Sequence, residues 1–338
     1  MTPGRSRRLS GPRPRGDMVV DDPEQSRVHI RMHRAPADRA YRTVVRLAAS
    51  ATLVVMGLIG AFLFARALPA LRSGGWRFLT EQAWTPDSGR FGISAVLLGT
   101  VLIAVVALVI AVPLSIGAAL FITEYAPRRL RRPITSLIDL LAAVPSLIYG
   151  LWGLFFLQPR LIKVSRWLTD HASVVPFFRT KSTNYASTTF IAGVVVSLMV
   201  VPICTAVMRE VFSQAPMGEK ERALALGASR WGMVRTVVLP FGRGGIVGGS
   251  MLGLGRALGE TIAVSLIISP IFVRSIHILD GGGNSISSLI ALRFSESNTF
   301  GISALMAAGL VLFGMTLVVN AIASVIVNRS RSGAATEI

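Results

Sequence analysis

Cysteine, histidine and charged residues are scarce in this chain of 338 residues. A single cysteine, Cys204, leaves no partner for an internal disulfide and no set of thiolates for a metal cluster. The four histidines have no close spacing and form no zinc-binding pattern. Only 15% of the residues are charged, against about 25% in soluble domains. These shortages argue against a disulfide-rich domain, a zinc protein and an ordinary cytosolic enzyme.

Two sequence patterns of enzymes are also missing. The chain has no G-x-x-x-x-G-K-[ST] phosphate loop, so we do not expect it to bind ATP by that route. No nucleophile and base stand in a catalytic pattern either. We therefore predict no catalytic residue, no resident metal or cofactor, and a chain that is not an enzyme.

Long apolar runs are the main feature that the chain does have. Apolar residues make up 52% of it and gather into six blocks. Each block reaches about the 20 residues that a membrane-spanning helix needs. The blocks cover residues 44–68, 94–122, 134–156, 187–207, 244–268 and 303–327. This pattern predicts an all-α integral membrane protein with six transmembrane helices, kinked where Pro113, Pro145 and Pro202 fall inside a block.

The basic residues predict the domain limits and the orientation. Residues 1–43 carry ten arginines and no apolar core, which predicts a disordered tail near anionic lipid. Residues 44–328 form the membrane domain and 329–338 a short tail. If the N-terminus is cytoplasmic, the inner segments hold 22 of the 35 Lys and Arg residues and the outer loops hold 10, which predicts that both termini are cytoplasmic. The net charge of +18 is thus explained by basic residues in the segments that flank the apolar blocks, as in other membrane proteins, and no nucleic-acid partner is expected.

The segment 217–243, between the fourth and fifth blocks, is more structured than a simple loop. It reads MGEKERALALGASRWGMVRTVVLPFGR. Good helix formers over 219–228 follow acidic residues that suit a helix N-terminus, and Gly227 is a plausible stop. A second short helix can follow over 228–238. The apolar side would consist of Ala223, Leu226, Trp231 and Val234. Composition alone would also allow an amphipathic helix at the lipid interface.

Six residues of this segment carry a family resemblance: Glu221, Ala223, Gly227, Val237, Leu239 and Pro240. Their spacing resembles the EAA loop of ABC importer permeases, which reads E-A-A, three residues, G, nine residues, I-x-L-P. Arg222 replaces the second alanine and Val237 replaces the isoleucine. In that family the loop docks into a groove on an ATPase subunit. The resemblance implies that Glu221, Ala223, Gly227, Leu239 and Pro240 serve ATPase coupling.

Two further stretches narrow the resemblance. Residues 144–157 read VPSLIYGLWGLFFL, and residues 242–268 read GRGGIVGGSMLGLGRALGETIAVSLII. Both look like PstC, the permease family of phosphate-specific ABC importers, and YGLWGLF favours PstC over the related PstA. The resemblance covers about residues 90–330. It implies the type I, MetI-like permease fold, with six transmembrane helices and a cytoplasmic coupling helix.

The resemblance also implies partners and a location. Such a permease forms a heterodimer with a PstA-like permease and binds two copies of a PstB-like ATPase, which hold the ATP and Mg. A PstS-like extracytoplasmic protein delivers inorganic phosphate. The chain would lie among the lipids of a bacterial plasma (inner) membrane, and its motion would be driven by ATP on the partner.

Glycines in the fifth block predict close helix packing. Gly245, Gly249 and Gly253 repeat every fourth residue, a spacing that lets two helix backbones approach in a membrane. Packing with no other role would explain these glycines as well.

Arg256 and Glu260 place two charges within the same apolar block. A charge at the bilayer centre costs at least about 2.5–3.5 kcal/mol, so such residues usually face a cavity, a partner or a substrate. Because they are four residues apart, a continuous helix would put them on one face. They could form a purely structural pair. Alternatively, Arg256 binds a passing oxyanion, Glu260 holds Arg256 when the path is empty, and Thr261 adds a hydroxyl donor.

Three rival functions remain open from the sequence. An ABC permease for sulfate or molybdate would share the EAA-like loop. An ATP-independent anion transporter or channel would share the six helices and the intramembrane charges. A membrane-embedded enzyme is the third, and the missing catalytic pattern argues against it.

Overall fold

Helices account for nearly all the regular structure in the computed structural model, which describes residues 36–180 and 182–331. In chain order the helices are α1 (Pro36–Gly74), α2 (Arg77–Thr80), α3 (Ser94–Leu120), α4 (Arg128–Ala143), α5 (Ser146–Trp152), α6 (Gln158–Ala172), α7 (Thr189–Ser213), α8 (Met217–Ala225), α9 (Arg230–Met233), α10 (Leu239–Phe241), α11 (Arg243–Gly259), α12 (Ile262–Ile267), α13 (Ile286–Arg293) and α14 (Thr299–Arg331). Two short strands, β1 (Trp84–Thr85) and β2 (Arg90–Phe91), pair in antiparallel fashion, with Trp84 opposite Phe91.

Four helices are long and apolar enough to cross a bilayer, and two bent pairs raise the number to six if each pair is one span. The four are Ala40–Gly74, Ser94–Tyr125, Thr189–Ser213 and Thr299–Ile326. The predicted all-helical membrane fold is therefore confirmed, with four to six candidate spans among the residues that the structure describes. The chain divides into two packing units, residues 1–55 and 56–338, and the packing described below is that of the second.

The third predicted block is not one helix. Helix α4 ends at Ala143, and the chain bends by 93° before it continues through α5 and α6. The break lies at Pro145 because proline lacks an N–H and pushes Val144 into an extended conformation, with ψ of 130°. The Tyr149 hydroxyl donates to the Leu141 carbonyl at 2.9 Å and links the two sides. By contrast, α3 and α7 continue through Pro113 and Pro202.

The fifth predicted block is also interrupted. Helix α11 ends at Gly259, and Glu260 is extended, with ψ of 126°. A separate short helix, α12, follows. At the N-terminal end of α11, the chain bends by 67° at Gly242, between the segment Arg230–Phe241 and α11. The prediction of a single helix over 244–268 was therefore wrong.

The main core lies where α3 packs along α7 and α11 packs against α7, α3 and α14. Small residues on α3, such as Ala104, Ala107 and Ala111, are buried in this contact. A second cluster joins the β1–β2 hairpin to α13 and α14 and contains Phe91, Ile286 and Leu305. The central helices thus hold the ends of α11 in a defined position.

The predicted tails lie mostly outside the described residues. Residues 1–35 and 332–338 are not described, and neither is Lys181. Residues 36–43, predicted as part of the tail, begin α1, and α14 continues to Arg331.

Candidate functional site

Arg256 lies in the last turn of α11, just before the break. It is half-buried, and its Nε atom is buried without a hydrogen-bond partner in the described part of the chain. The Tyr149 phenol of α5 lies within electrostatic range of this guanidinium. A planar, permanently charged group with an unsatisfied donor is suited to bind an oxyanion.

Glu260 does not pair with Arg256. Among residues 36–180 and 182–331, no ion pair joins the two side chains. Glu260 is buried, and its Oε1 accepts a hydrogen bond from the Ala263 N–H at 3.3 Å. The expected i, i+4 pair fails because the helix ends at Gly259, so the two residues no longer share a helix face. The carboxylate instead satisfies a free N–H group in the first turn of α12.

Thr261 stands at the same break. It is half-buried, and its hydroxyl donates to the Gly259 carbonyl at 3.1 Å. This bond satisfies one of the last carbonyls of α11. A ligand would therefore meet the oxygen of Thr261 as an acceptor unless that bond opened.

Gly245, Gly249 and Gly253 form the face of α11 that meets α7. A Cβ at Gly245 would lie 2.6 Å from Val211, and one at Gly253 would lie 2.6 Å from the Cys204 sulfur. At Gly249 the nearest atoms are 3.3 Å away. At three other glycines of α11 a Cβ would meet nothing within 4 Å, namely Gly248, Gly255 and Gly259. Close packing therefore involves one glycine stripe of α11 and not all of its glycines.

The segment 217–241 forms a helix, a tight turn and a second helix. Gly227 adopts a φ of +86°, and nothing lies within 4 Å of its Cβ position. The Ala228 N–H donates to the Ala223 carbonyl and the Gly227 N–H donates to the Leu224 carbonyl, which is the Schellman arrangement. Ser229 then caps α9 by accepting from the Gly232 N–H at 3.1 Å. Gly227 is thus required for its backbone conformation rather than for close packing.

The predicted apolar side of this segment divides into two parts. Val234 is buried, and Ala223 packs against the main core. Leu226 is 89% exposed and Trp231 is 57% exposed, so these two apolar side chains do not pack within the chain. Glu221 is exposed as well. Large apolar side chains beside an exposed carboxylate form a surface that suits a protein partner.

Leu239 and Pro240 lie where this segment meets α11. Leu239 packs partly against the main core, and Pro240 is exposed. Between α9 and α10 the backbone makes a π-helical turn over Val234–Val238, and both of those valines are buried. The second half of the segment is therefore anchored in the main core, and its first half projects from that core.

One charged contact of this segment was not predicted. The Lys220 Nζ atom lies 2.7 Å from the Glu124 Oε1 atom, at the end of α3. The two residues are 96 positions apart, and Lys220 stands outside the EAA-like pattern, so no local signal indicated the pair. The described residues contain no group of three or more side chains that could hold a metal ion.

Comparison with known proteins decides the family. Residues 111–332 match the family described as binding-protein-dependent transport system inner membrane component. The chain is also 42% identical, over 325 residues, to phosphate transport system permease protein PstC 2 of Mycobacterium tuberculosis, and the match covers 93% of this chain and 100% of that protein. The chain belongs to the PstC permease family.

Other relatives agree with this PstC assignment. PstC of Mesorhizobium japonicum is 38% identical over 306 residues, which cover 89% of this chain and 93% of that protein. A crystal structure of a bacterial ABC transporter involved in alginate import has a TM-score of 0.53 at 16% identity and covers 86% of this chain and 99% of that chain. That likeness concerns the fold alone.

Membership of the PstC family confirms several predictions. The chain is a multi-pass membrane protein and a permease subunit of an ABC transporter. It is not an enzyme, because the ATPase of such a transporter is a separate subunit. As a permease of this family, it works in a complex with an ATPase and a binding protein.

Proposed function

We propose that this PstC-family permease forms half of the path for inorganic phosphate in an ATP-driven importer. Its relatives are named as phosphate transport permeases at 38–43% identity. The partners would be a PstA-like permease, a dimer of a PstB-like ATPase and a PstS-like extracytoplasmic binding protein. ATP and Mg would be bound by the ATPase. Both termini would lie on the cytoplasmic side of a bacterial inner membrane.

The observation that carries this proposal is the projecting turn of segment 217–241. Its backbone is held by the Schellman bonds at Gly227 and by the Ser229 cap. It presents Glu221, Leu226 and Trp231 outward, while its second half is anchored in the main core. An ATPase bound to this surface would move the end of α11 directly, because α10 leads into α11 through Gly242.

The phosphate path would pass the break between α11 and α12. Arg256 supplies a permanent charge with an unsatisfied donor, and Tyr149 places a hydroxyl nearby. Guanidinium can bind phosphate through two hydrogen bonds at once. The carboxyl group of Glu260 lies at the same break, where it would limit how tightly anions bind.

The test compares two glycine variants in cells that carry the chain with its partners. Gly227→Asp adds a carboxylate to the docking surface, where the chain itself leaves open space. Gly89→Asp is the matched control, since Gly89 also has positive φ, at +74°, and open space, but lies beside the β1–β2 hairpin. We expect Gly227→Asp to abolish phosphate uptake and copurification of the ATPase, and Gly89→Asp to preserve both.

The opposite result would reject the coupling role. If Gly227→Asp transports phosphate at the wild-type rate, the segment 217–241 does not couple the chain to an ATPase. An ATP-independent anion transporter would then be the better explanation.

A further inference from the structure

Lys220 and Glu124 form a close, largely buried ion pair between two elements that are distant in the sequence. The Nζ and Oε1 atoms are 2.7 Å apart, and the side chains are only 12% and 9% exposed. Glu124 lies in the π-helical turn Phe121–Tyr125 that ends α3, and Lys220 lies in α8. The pair therefore joins the first helix of the coupling segment to a helix of the main core.

The rest of α8 is weakly attached to the core. Within Met217–Ala225 only Lys220 and Ala223 are not exposed. Ala223 is small, and α8 otherwise packs against α9 and the π-helical turn of its own segment. Lys220 is thus the charged side chain of α8 that reaches a neighbouring element and is largely shielded from water.

An open cavity of about 540 Å³ lies beside this contact. Each of its other charged lining residues has a polar contact of its own, although the buried Arg209 Nη1 atom has no hydrogen-bond partner in the described part of the chain. The Arg131 Nε donates to the Ala126 carbonyl at 3.1 Å, Arg209 lies 3.8 Å from Asp139, and Glu210 accepts from the Gln214 amide. On the side of α8 that faces this cavity, the Lys220–Glu124 pair is the polar contact that ties α8 to the core.

A tether of this kind is a poor way to gain stability. Desolvation of two charges can cost as much as their attraction provides, and apolar packing often replaces such a pair without loss. The pair does join one particular group on each element, which an apolar contact does less specifically. A role in transmitting motion therefore explains it better than a role in stability.

We propose that Lys220 and Glu124 are positioning residues that transmit the movement of the coupling segment to α3. This inference rests on the proposed function, because α8 must move with an ATPase. Movement of α3 would reach α7 and α11, against which it packs, and so the helix that carries Arg256. Without the pair, the ATPase could dock and hydrolyse ATP while the core helices followed its motion incompletely.

The experiment measures phosphate transported per ATP hydrolysed, in proteoliposomes with the complete set of subunits. We expect Lys220→Met and Glu124→Gln each to lower this ratio by about fivefold or more, the lower range of coupling between sites. ATP hydrolysis should continue, since the docking surface is intact. The exchange Lys220→Glu with Glu124→Lys should restore much of the ratio, because it rebuilds the pair.

Two controls separate coupling from folding. Arg293 and Glu296 form an exposed ion pair, with side chains that are 47% and 67% exposed, respectively. Arg293→Met breaks this pair and should leave the ratio of phosphate transported to ATP hydrolysed unchanged. The double variant Lys220→Met with Glu124→Leu restores packing without charge, so it should fold and remain poorly coupled. If this double variant or the single variants keep the wild-type ratio, the pair has no coupling role and the inference is overturned. A proportional loss of uptake and hydrolysis in the single variants would overturn it equally.

The failure of the proposed function would look different. In that case the wild-type complex itself would show no ATP-dependent phosphate uptake or would not retain the ATPase. If the wild-type complex couples ATP hydrolysis to phosphate uptake and the Lys220 variants keep the same ratio, only the role of the pair is rejected.

Discussion

Arg256 is the residue on which the proposed phosphate path depends most directly. Its guanidinium lies at the end of α11, with a buried Nε that has no partner in the described part of the chain. A buried donor left unpaired is costly, so a function that supplies an acceptor during transport explains it. Glu260 does not supply that acceptor, since its carboxylate is bonded to the Ala263 N–H.

Substitution of Arg256 tests this role. Arg256→Gln removes the charge and keeps a shorter polar side chain, so we expect phosphate uptake to fall to background while the complex still assembles. Uptake into cells and copurification of the partner subunits measure the two outcomes. Arg256→Lys should retain part of the uptake, because it keeps the charge but loses the planar, bidentate donor.

Glu260→Gln is a control for assembly at this site and not for uptake, because the proposal gives Glu260 a part in anion binding. The amide oxygen can still accept from the Ala263 N–H, so the start of α12 should be preserved and the complex should assemble. Normal uptake by Arg256→Gln would show that the guanidinium is not in the path.

At the scale of the elements, the contact between α11 and α7 depends on glycine at particular positions. A Cβ at Gly253 would approach the Cys204 sulfur to 2.6 Å and a Val200 methyl to 2.7 Å. Either the two helices separate or neighbouring side chains leave their rotamers. The contact is therefore one that only a residue without a side chain permits at this distance.

Two valine substitutions test this contact. Gly253→Val should destabilise the purified chain by about 1–3 kcal/mol, the usual cost of overpacking. Gly255→Val changes the same helix by the same chemistry, but nothing lies within 4 Å of its Cβ position, so it should be tolerated. Thermal unfolding in detergent compares the two, and equal unfolding temperatures would contradict the close approach of α11 and α7.

At the scale of the whole molecule, the source of energy distinguishes an ABC permease from an ATP-independent carrier. We expect phosphate uptake into proteoliposomes to require ATP inside and the binding protein outside, because the chain has no phosphate loop of its own. Collapse of the ion gradients should leave uptake unchanged. Uptake driven by an ion gradient without ATP would contradict the proposal.

The same vesicles test the choice of anion. A tenfold excess of sulfate should not inhibit phosphate uptake if the path is specific for phosphate. Strong inhibition by sulfate would favour a permease for another oxyanion.

The parts of the site that could be predicted are those built from neighbouring residues. The turn at Gly227 follows from glycine's access to positive φ, and the start of α9 follows from the serine that caps it. The position of Arg256 within an apolar block was equally visible. Its relation to Glu260 was not, because a four-residue spacing implies a shared face only while the helix continues.

The sequence by itself determined the class of protein and the place of its special residues. Long apolar runs require a membrane. The turn within the EAA-like segment is held by hydrogen bonds between neighbouring residues, so the local sequence is enough to specify it. Tertiary structure alone decided that Pro145 breaks a helix while Pro113 and Pro202 do not, that α11 ends at Gly259, and that Lys220 meets Glu124. The physical reason is range: bonds within one helical turn are set by adjacent residues, whereas breaks and long-range contacts depend on which distant surfaces pack together.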